Sequence, residues 1–413
     1  MMRTVTLARQ SAKADSPRRR LALSNRRLFV LIAYGLLVVL AGANLPTPLY
    51  PYYQRVDRLS TAALTVVFVA YVLAVSLALI VAGQLSDRFG RRAILLPALV
   101  LAAVSMAAFA AGESVAALVV GRVASGLASG GFTAVGAAAL ADLEPGHDTR
   151  RPALVASAAT VGGLAVGPMI SGLLVQYGPW PTRLVYLLEL AALGPAFAGV
   201  LGLPRPHRAA AGPRPRPRLQ FPRVPRATRP AFLRSTLAFS AGWVGTAMFF
   251  ALGPTFAGQI LGTTNSAAQA GVVFAVFLPS ALAQLLSRRV ARRRATLVGL
   301  VVFSVGMLGL PAALAWHQLV VLLVSAVATG AGQGLTHRAT QSAVTHAAPA
   351  ESRGQVLAAY YLAGYATVAV LLVALGRTID ATSSLIGLTS FAAVVALMAT
   401  VAGILVGRHP DQP

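Results

Sequence analysis

The sequence predicts an all-α membrane protein with twelve transmembrane helices in two six-helix halves. Hydrophobic residues make up 56% of the 413 residues and charged residues only 11%, which exceeds the apolar share of an ordinary soluble domain. Apolar runs of roughly 20 residues, the length that crosses a bilayer, recur twelve times. A segment rich in proline and arginine separates them into two sets of six.

Each apolar run predicts one helix. The first six are 28–50, 62–85, 93–112, 115–141, 153–176 and 182–203. The second six are 231–257, 267–287, 295–315, 318–340, 355–376 and 384–407. We therefore expect five regions: a basic N-terminus (1–27), an N-terminal bundle (28–203), a Pro/Arg-rich linker (204–230), a C-terminal bundle (231–407) and a tail (408–413).

The basic residues predict the orientation of the chain. All but five of the 35 Lys and Arg residues fall in segments that share one side of the membrane if both termini lie on that side. The exceptions are Arg55, Arg58, Arg122, Arg183 and Arg377. Since retained cytoplasmic loops carry an excess of Lys and Arg, we expect a multi-pass protein of the bacterial inner membrane with both termini in the cytoplasm.

The net charge of +24 also fits a nucleic-acid-binding protein. Basic loops held against the anionic headgroups of a lipid bilayer account for the charge without such a partner, so we expect no nucleic acid. The absence of cysteine excludes thiolate metal sites. No enzyme or nucleotide-binding motif is present, so we expect no catalytic residue, no metal and no cofactor.

A charged stretch at residues 83–92 joins the second and third runs, and we predict a turn at a membrane face here. Gly83 and Gly90 permit close approach and a tight bend. The stretch is defined by Gly83, Leu85, Ser86, Asp87, Arg88, Gly90, Arg91 and Arg92. These residues resemble the pattern G-x-L-(A/S)-D-R-x-G-R-(K/R) between helices 2 and 3 of the major facilitator superfamily. The resemblance implies that family's fold and a secondary transport function.

The resemblance also implies a conformational latch at this stretch. In the family, the aspartate that matches Asp87 faces the N-terminus of helix 11, here near Gly354 and Gln355. The arginine that matches Arg91 pairs with an acid at the end of helix 4, here Asp142. The alternative is that the arginines only enforce topology. The second half carries a weaker copy of the stretch, with Ser287 where the first half has Asp87.

Helix 4 places Arg122 within an apolar run. An arginine there is costly unless it faces water or a partner, and it marks a functional site by default. Its setting resembles the family's R-x-x-x-G motif, which is associated with proton coupling. The alternative is that Arg122 extends to the membrane interface.

Helix 5 carries Gly163 and Gly167 on one close-packing face, followed by Pro168 and Gly172. The pattern resembles the antiporter motif G-x-x-x-G-P-x-x-G-G of drug exporters, with Ser171 replacing one glycine, and the resemblance favours export. Close packing without directional meaning is the alternative.

Among the eleven acidic residues, only Glu189 lies well inside an apolar run. A carboxyl in hydrocarbon is costly when charged and tends to hold its proton. We therefore hypothesise that Glu189 carries a proton or recognises a cation. A structural carboxyl bonded to a neighbouring helix is the alternative. Helix 1 offers no carboxylate, unlike helix 1 of many proton-coupled relatives.

Aromatic and amide side chains on helices 1, 2, 7, 10 and 11 are candidates for a cavity wall that suits amphipathic or cationic organic molecules. They are Tyr34, Asn44, Tyr71, Trp243, Phe249, Gln333, Tyr360, Tyr361 and Tyr365. Ordinary packing is the alternative for each. The resulting interpretation is a transporter, active as a single chain in the bilayer, that exports a small amphipathic compound in exchange for protons. A sugar or metabolite facilitator or importer, or a non-transporting sensor with this fold, are the alternatives.

Overall fold

The computed structural model describes residues 25–56, 58–111, 114–145, 150–204 and 223–408. The tail, most of the linker and almost all of the basic N-terminus lie outside these residues, so their boundaries stay predictions. Within the described ranges the chain consists of helices and short connections, without a β-strand.

The described part of the chain contains twelve helices that are long and apolar enough to cross a membrane, which confirms the predicted fold class. The first half comprises α1 Asn25–Val56, α2 Thr61–Phe89, α3 Arg91–Ala111, α4 Val115–Leu143, α5 Arg150–Tyr177 and α6 Leu184–Gly202. The second half comprises α7 Arg229–Leu261, α8 Ser266–Leu286, α9 Arg292–Trp316, α10 Leu319–Ala347, α11 Arg353–Ala381 and α12 Ser384–Gly407.

Short polar side chains fix where four of these helices begin. Ser60, Ser114, Asn265 and Ser383 each precede a helix and accept a hydrogen bond from the backbone N–H three residues on. Such a cap satisfies one of the N–H groups that the first turn leaves without an intrahelical partner. These capping residues therefore set the residue at which each of the four helices begins.

Helix α1 is interrupted where the sequence places Pro46-Thr47-Pro48. Residues 25–42 are α-helical, 43–46 form a turn, Thr47–Leu49 is a 3₁₀ helix, and Tyr50–Val56 continues as an α-helix. Proline has no N–H to donate and clashes with the preceding helical turn. The interruption therefore frees backbone carbonyl groups inside the first half.

The charged stretch at 83–92 is not the turn that we predicted. Helix α2 continues through Phe89 and α3 begins at Arg91, so Gly90 alone changes the chain direction. Its φ of 88° lies in a region that side-chain-bearing residues rarely adopt. One glycine is sufficient for the bend, and the charged residues before it therefore extend the helix.

The most extensive contacts between the two halves are those of α2 with α11 and of α5 with α8, and the end of α1 also contacts α7 and α8. The junctions α2–α3, α4–α5, α8–α9 and α10–α11 lie at one end of the bundle. We call that end the basic face, because Arg91, Arg151 and Arg292 lie there. The other end is called the opposite face. A buried apolar cluster joins Phe68 of α2 and residues of α5 to the second half, so the core is continuous between the halves.

Candidate functional site

A cavity of about 220 Å³ lies between the two halves. Helices α1, α2, α4 and α5 form one wall, and α7, α10 and α11 form the other. Five of the predicted cavity residues line it: Asn44, Tyr71, Trp243, Tyr361 and Tyr365. The rest of the described lining is apolar or carries hydroxyl groups, apart from His337.

The wall from the second half is a group of stacked rings. Trp243 stacks on His337 with 5.8 Å between ring centroids and lies 6.0 Å from Tyr365. Tyr361 stacks on Tyr365 at 6.2 Å. Phe239 supports the group from behind, 5.9 Å from Trp243 and 5.4 Å from His337. Rings at such distances are in contact with one another, so this wall offers aromatic ring surfaces to a ligand.

His337 is the lining residue that the sequence reasoning missed. It follows a run of small residues on helix 10 and is a titratable side chain within an apolar segment, which was the available signal. Its Nδ1 is buried without a hydrogen-bond partner. Unpaired buried polar groups are uncommon and call for a functional explanation.

Four of the predicted cavity residues lie outside the lining, which corrects those expectations. Tyr34 donates its hydroxyl to the carbonyl of Ala192 at 2.9 Å, within the first half. Gln333 accepts a hydrogen bond from Ser280 Oγ at 2.6 Å. Phe249 and Tyr360 are buried within the second half. The polar groups of Tyr34, Gln333 and Tyr360 each have a hydrogen-bond partner inside their own bundle.

Arg122 is completely buried in the first half, with an exposed fraction of 0%. Its Nη1 donates to the carbonyl of Ala43 at 2.5 Å, and its Nη2 donates to the hydroxyl of Tyr50. The guanidinium carbon lies 5.3 to 5.9 Å from four ring centroids: Tyr50, Phe68, Tyr71 and Phe109. The structure therefore excludes the alternative in which Arg122 extends to the interface.

The positive charge of Arg122 has no ion-pair partner among the described carboxylates. A buried charge without an opposite charge is stabilised here by hydrogen bonds and by the faces of aromatic rings. Two of those rings, Phe68 and Tyr71, also line the cavity. The charge therefore lies directly behind the first-half wall of the cavity.

Glu189 lies on α6 and points toward α1. A Cβ placed on Gly42 would lie 2.6 Å from its Oε1, and that oxygen is buried without a hydrogen-bond partner. The carboxyl borders a space of about 10 Å³ that Ala43 and Ser125 also line. The described residues thus give no support to a structural carboxyl that is hydrogen-bonded to a neighbouring helix.

Glu189 lies outside the central cavity, because α1 separates the two. Leu40 and Asn44 of α1 line the cavity, whereas Gly42 faces Glu189. At 100° per residue, Gly42 lies on the other side of the helix from Leu40. Any effect of Glu189 on the cavity must therefore pass through α1.

The interruption of α1 is where these groups meet. Arg122 binds the carbonyl of Ala43, and Ser171 Oγ of α5 donates to the carbonyl of Leu45 at 2.6 Å. Glu189 packs against Gly42. Backbone groups freed inside a membrane require such partners. The side chain of Asn44, between the two bound carbonyls, lines the cavity.

Two glycines of the α5 motif pack against α1, whereas Gly172 packs against α8. Gly163 and Gly167 face the backbone of α1 at Leu37 and Ala41, with no room for a side chain. Pro168 is buried inside α5. These positions therefore hold α5 closely against the interrupted helix, as small residues do at membrane helix contacts.

At the basic face, the first half holds a network of charges. Arg91 donates from Nε to Asp142 at 3.0 Å and from Nη1 to Asp87 at 2.7 Å. The pair of Arg91 with Asp142 lies where the sequence places it. The side chain of Asp87 is 76% exposed, and a Cβ on Gly354 would meet nothing within 4 Å outside its own helix.

The expected contact of Asp87 with the start of α11 is therefore replaced in this structure by an ion pair with Arg91, one helical turn along the chain. Of the remaining residues of this stretch, Gly83 faces open space. Arg88 lies 5.1 Å from the ring centroid of Phe89, and Arg92 is half-buried.

At the opposite face, helices α2 and α11 contact each other. Asp380, in the last turn of α11, accepts hydrogen bonds from the backbone N–H groups of Thr61 and Ala62 at 3.0 and 2.8 Å. These groups open the first turn of α2, so the carboxylate lies at the positive end of the helix dipole. Gly376 leaves room for Thr65 one turn earlier. No motif in the sequence indicates this contact.

Helices α5 and α8 also meet at the opposite face. Gly172 leaves room for Ala270 and for the carbonyl of Ser266, where a Cβ would come within 2.7 Å of the oxygen. Gln176 accepts from the N–H of Ser266 at 2.9 Å. Between α1 and α7, Thr255 donates to Gln54 at 2.8 Å. Direct contacts between the halves therefore close this face.

Toward the basic face, a cleft of about 520 Å³ separates α5 from α8. Val161 and Ala165 line the cleft, next to Thr160 and Leu164, which line the central cavity. The halves are thus in contact at the opposite face, whereas α5 and α8 are separated at the basic face.

Two six-helix bundles in the membrane, with a cavity at their interface, define the protein as a polytopic transporter by fold. The sequence matches the model of the Major Facilitator Superfamily over residues 32–371, and the chain belongs to that family. Among curated relatives, the quinolone resistance protein NorA of Staphylococcus aureus is 27% identical over 152 residues, which are 37% of this chain and 39% of NorA. The tetracenomycin C resistance and export protein of Streptomyces glaucescens is 32% identical over 149 residues, 36% of this chain and 28% of that protein.

The chain therefore aligns with less than half the length of these relatives. Solved structures match over nearly the whole chain at low identity. A bacterial homologue of the human lysosomal transporter Spinster, in an inward-facing and unoccupied conformation, gives a TM-score of 0.68 at 14% identity and covers 94% of this chain and 99% of its own. The POT family transporter PepTSo gives a TM-score of 0.73 at 12% identity and covers 93% of this chain and 98% of its own. At such identities the likeness concerns the fold.

Proposed function

We propose that this protein is a secondary active transporter of the bacterial inner membrane that exports a small amphipathic organic compound in exchange for protons. The observation that carries the proposal is the aromatic cavity between the halves. Its flat rings suit an organic molecule with an apolar body, and its position between two bundles suits alternating access.

The proposed cycle uses the two faces in turn. In this structure the halves meet at the opposite face and are separated between α5 and α8 at the basic face. With the arginine-rich face in the cytoplasm, this is the inward-facing state, which admits a compound from inside the cell. Closure of the basic face would bring Asp87 to the N-terminus of α11, where a helix dipole favours a carboxylate.

Proton coupling is proposed to act through the interrupted helix α1. Oε1 of Glu189 is buried without a partner and packs on Gly42, while Arg122 binds the next carbonyl along the chain, that of Ala43. When Glu189 releases its proton, the new negative charge attracts Arg122 across this turn. Because the side chain of Asn44 lies in the cavity, a shift of the turn would change the cavity wall.

Two further observations support export. The glycine and proline pattern on α5 packs against the same helix α1, and it resembles a motif of exporters. Two relatives of the matched segment are described as a resistance protein and an export protein. The direction and the substrate remain part of the proposal, since these matches cover less than half of each protein.

The experiment is transport in reconstituted vesicles with an imposed proton gradient, using a series of amphipathic fluorescent dyes. We expect gradient-driven accumulation that a protonophore abolishes. Glu189→Gln, which removes the titratable proton, should lower driven accumulation by about tenfold or more, within the range of ligand coupling. Gradient-independent exchange of the dye should persist in this variant.

The matched control is Glu351→Gln, which changes an exposed carboxyl at the basic face and should leave accumulation unchanged. Intact driven accumulation in Glu189→Gln would exclude Glu189 from coupling. Flux that ignores the protonophore would indicate a facilitator. Binding without any flux would indicate a sensor.

A further inference from the structure

The charges around the central cavity are unevenly distributed. Among the described lining residues there is no Asp, Glu, Lys or Arg. Arg122 places a charge close to the cavity wall, since its guanidinium carbon lies 5.8 Å from the ring centroid of Phe68 and 5.6 Å from that of Tyr71. Both rings line the cavity. The first-half wall therefore has a positive charge one ring thickness behind it.

No described carboxylate neutralises this charge from the cavity side. Arg122 is absent from the ion pairs of the described residues. Glu189 lies on the far side of α1, against Gly42. A ligand in the cavity would therefore experience Arg122 at closer range than Glu189.

The second-half wall contributes hydrogen-bonding groups without a carboxylate. His337 lies in the ring stack between Trp243 and Phe239, and its Nδ1 is buried and unpaired. The phenols of Tyr361 and Tyr365 border the same space. A neutral imidazole has one N–H donor and one acceptor, and its protonated form would add a second positive charge.

We propose that the cavity selects planar aromatic compounds that are uncharged or anionic and that carry an oxygen atom able to accept a hydrogen bond from His337. The stacked rings bind the aromatic plane, the imidazole binds the oxygen, and Arg122 disfavours a cation. The inference rests on the proposed function only in taking this cavity as the substrate site. It departs from the expectation that aromatic walls favour cations, because the cavity lacks the carboxylate that would neutralise a cation.

The size of the effect follows from Coulomb's law. A unit charge on the order of 10 Å from Arg122, at an effective dielectric constant of about 20, has its binding changed by about tenfold. Arg122 would therefore strengthen the binding of an anion by about tenfold and weaken that of a cation by about tenfold. Two ligands of identical shape and opposite charge should therefore differ in affinity by well over tenfold.

The test measures equilibrium binding to the purified protein in lipid nanodiscs by fluorescence polarisation. The probes are resorufin, a planar three-ring anion with oxygen at both ends, and its 3,7-diamino analogue, a cation with the same fused rings. Binding to empty nanodiscs is subtracted. We expect resorufin to bind at least about tenfold more tightly than the cation.

His337→Phe keeps an aromatic ring in the stack and removes both nitrogens. We expect it to weaken resorufin by about tenfold, the effect of a lost hydrogen bond to a charged group, and to leave the cation unchanged or slightly improved. The matched control is His346→Phe, which removes an exposed histidine of the same helix and should change neither affinity.

Equal or tighter binding of the cation to the unmodified protein overturns the proposal, and this arm does not depend on a variant that folds. Unchanged resorufin affinity in His337→Phe overturns the role of the imidazole. Preferred binding of resorufin without transport in vesicles supports the inference while the proposed function fails. Proton-driven export of cations alone supports the proposed function and overturns the inference.

Discussion

Each end of the α2–α11 pair has an aspartate in the last turn of one helix, but in this structure only one of the two carboxylates contacts the neighbouring helix. The helices are antiparallel, so the last turn of each lies beside the first turn of the other. Asp380, at the end of α11, binds the N–H groups that open α2. Asp87, at the end of α2, is 76% exposed and pairs with Arg91 of its own half, while the start of α11 is open at Gly354.

The comparison teaches how weak contacts select a conformation. A carboxylate at a helix N-terminus is worth about 0.3–1 kcal/mol when it is exposed, so neither end alone fixes the molecule in one state. If Asp87 binds the start of α11 in the other state, as proposed, both ends use the same interaction, and the free energies of the two contacts would nearly cancel when one end closes as the other opens. The balance is then sensitive to the packing of the second pair, α5 with α8.

The largest effect is expected from a substitution at Gly172, where α5 and α8 meet at the opposite face. A side chain there would collide with Ala270 and with the carbonyl of Ser266, and overpacking of this kind costs typically 1–3 kcal/mol. We expect Gly172→Leu to separate α5 from α8 at the opposite face. The measurement is the distance between spin labels at positions 177 and 264, which is convenient because the chain has no native cysteine.

Gly271→Leu is the matched control for this prediction. Gly271 lies on α8 next to Ala270, and a Cβ there would meet nothing within 4 Å outside its own helix. The control should leave the label distance unchanged. If Gly172→Leu keeps the short distance, the glycine contact does not hold this face closed.

Asp380→Asn should have the second largest effect. The substitution keeps the size of the side chain and removes the negative charge from the N-terminus of α2. We expect a loss of about 1 kcal/mol, equivalent to about a fivefold shift toward an open opposite face. Spin labels at positions 58 and 382 report the change.

Ser383→Ala provides the control, because Ser383 caps α12 within its own half. It should lower the melting temperature without altering that distance. A distance distribution that is the same in Asp380→Asn and the unmodified protein would show that the carboxylate does not join the halves.

The sequence allowed the helices to be predicted well, but not the directions of their side chains. Twelve apolar runs identified twelve helices because crossing a bilayer requires a minimum length. A helix that is apolar all round gives no signal for which side faces lipid, core or cavity. Tyr34 and Gln333 were therefore assigned to the cavity, although each has a partner in its own half.

In the candidate site, the charged residues could be predicted from the sequence, but their long-range contacts could not. Arg122 and Glu189 stood out because charged groups are costly in hydrocarbon, and the structure places both at the interrupted part of α1. The contact of Asp380 with α2 joins residues that are distant in sequence, and no local pattern predicts such a contact. His337 was overlooked beside Arg338, since sequence alone does not tell which of two adjacent residues faces a cavity.

Asp87→Asn should give the smallest effect and the opposite sign to Asp380→Asn. In this conformation the substitution removes only an exposed ion pair with Arg91, and such pairs contribute little to stability. If closure of the basic face places Asp87 at the start of α11, the loss of its charge disfavours that closed state by a few tenths of a kcal/mol to 1 kcal/mol. Spin labels at positions 89 and 354 should then report fewer closed molecules. Glu144→Gln, which removes an ion pair with Arg151 within the first half, should leave that population unchanged. A shift of the same sign in Asp87→Asn and Asp380→Asn would mean that the two ends do not oppose each other.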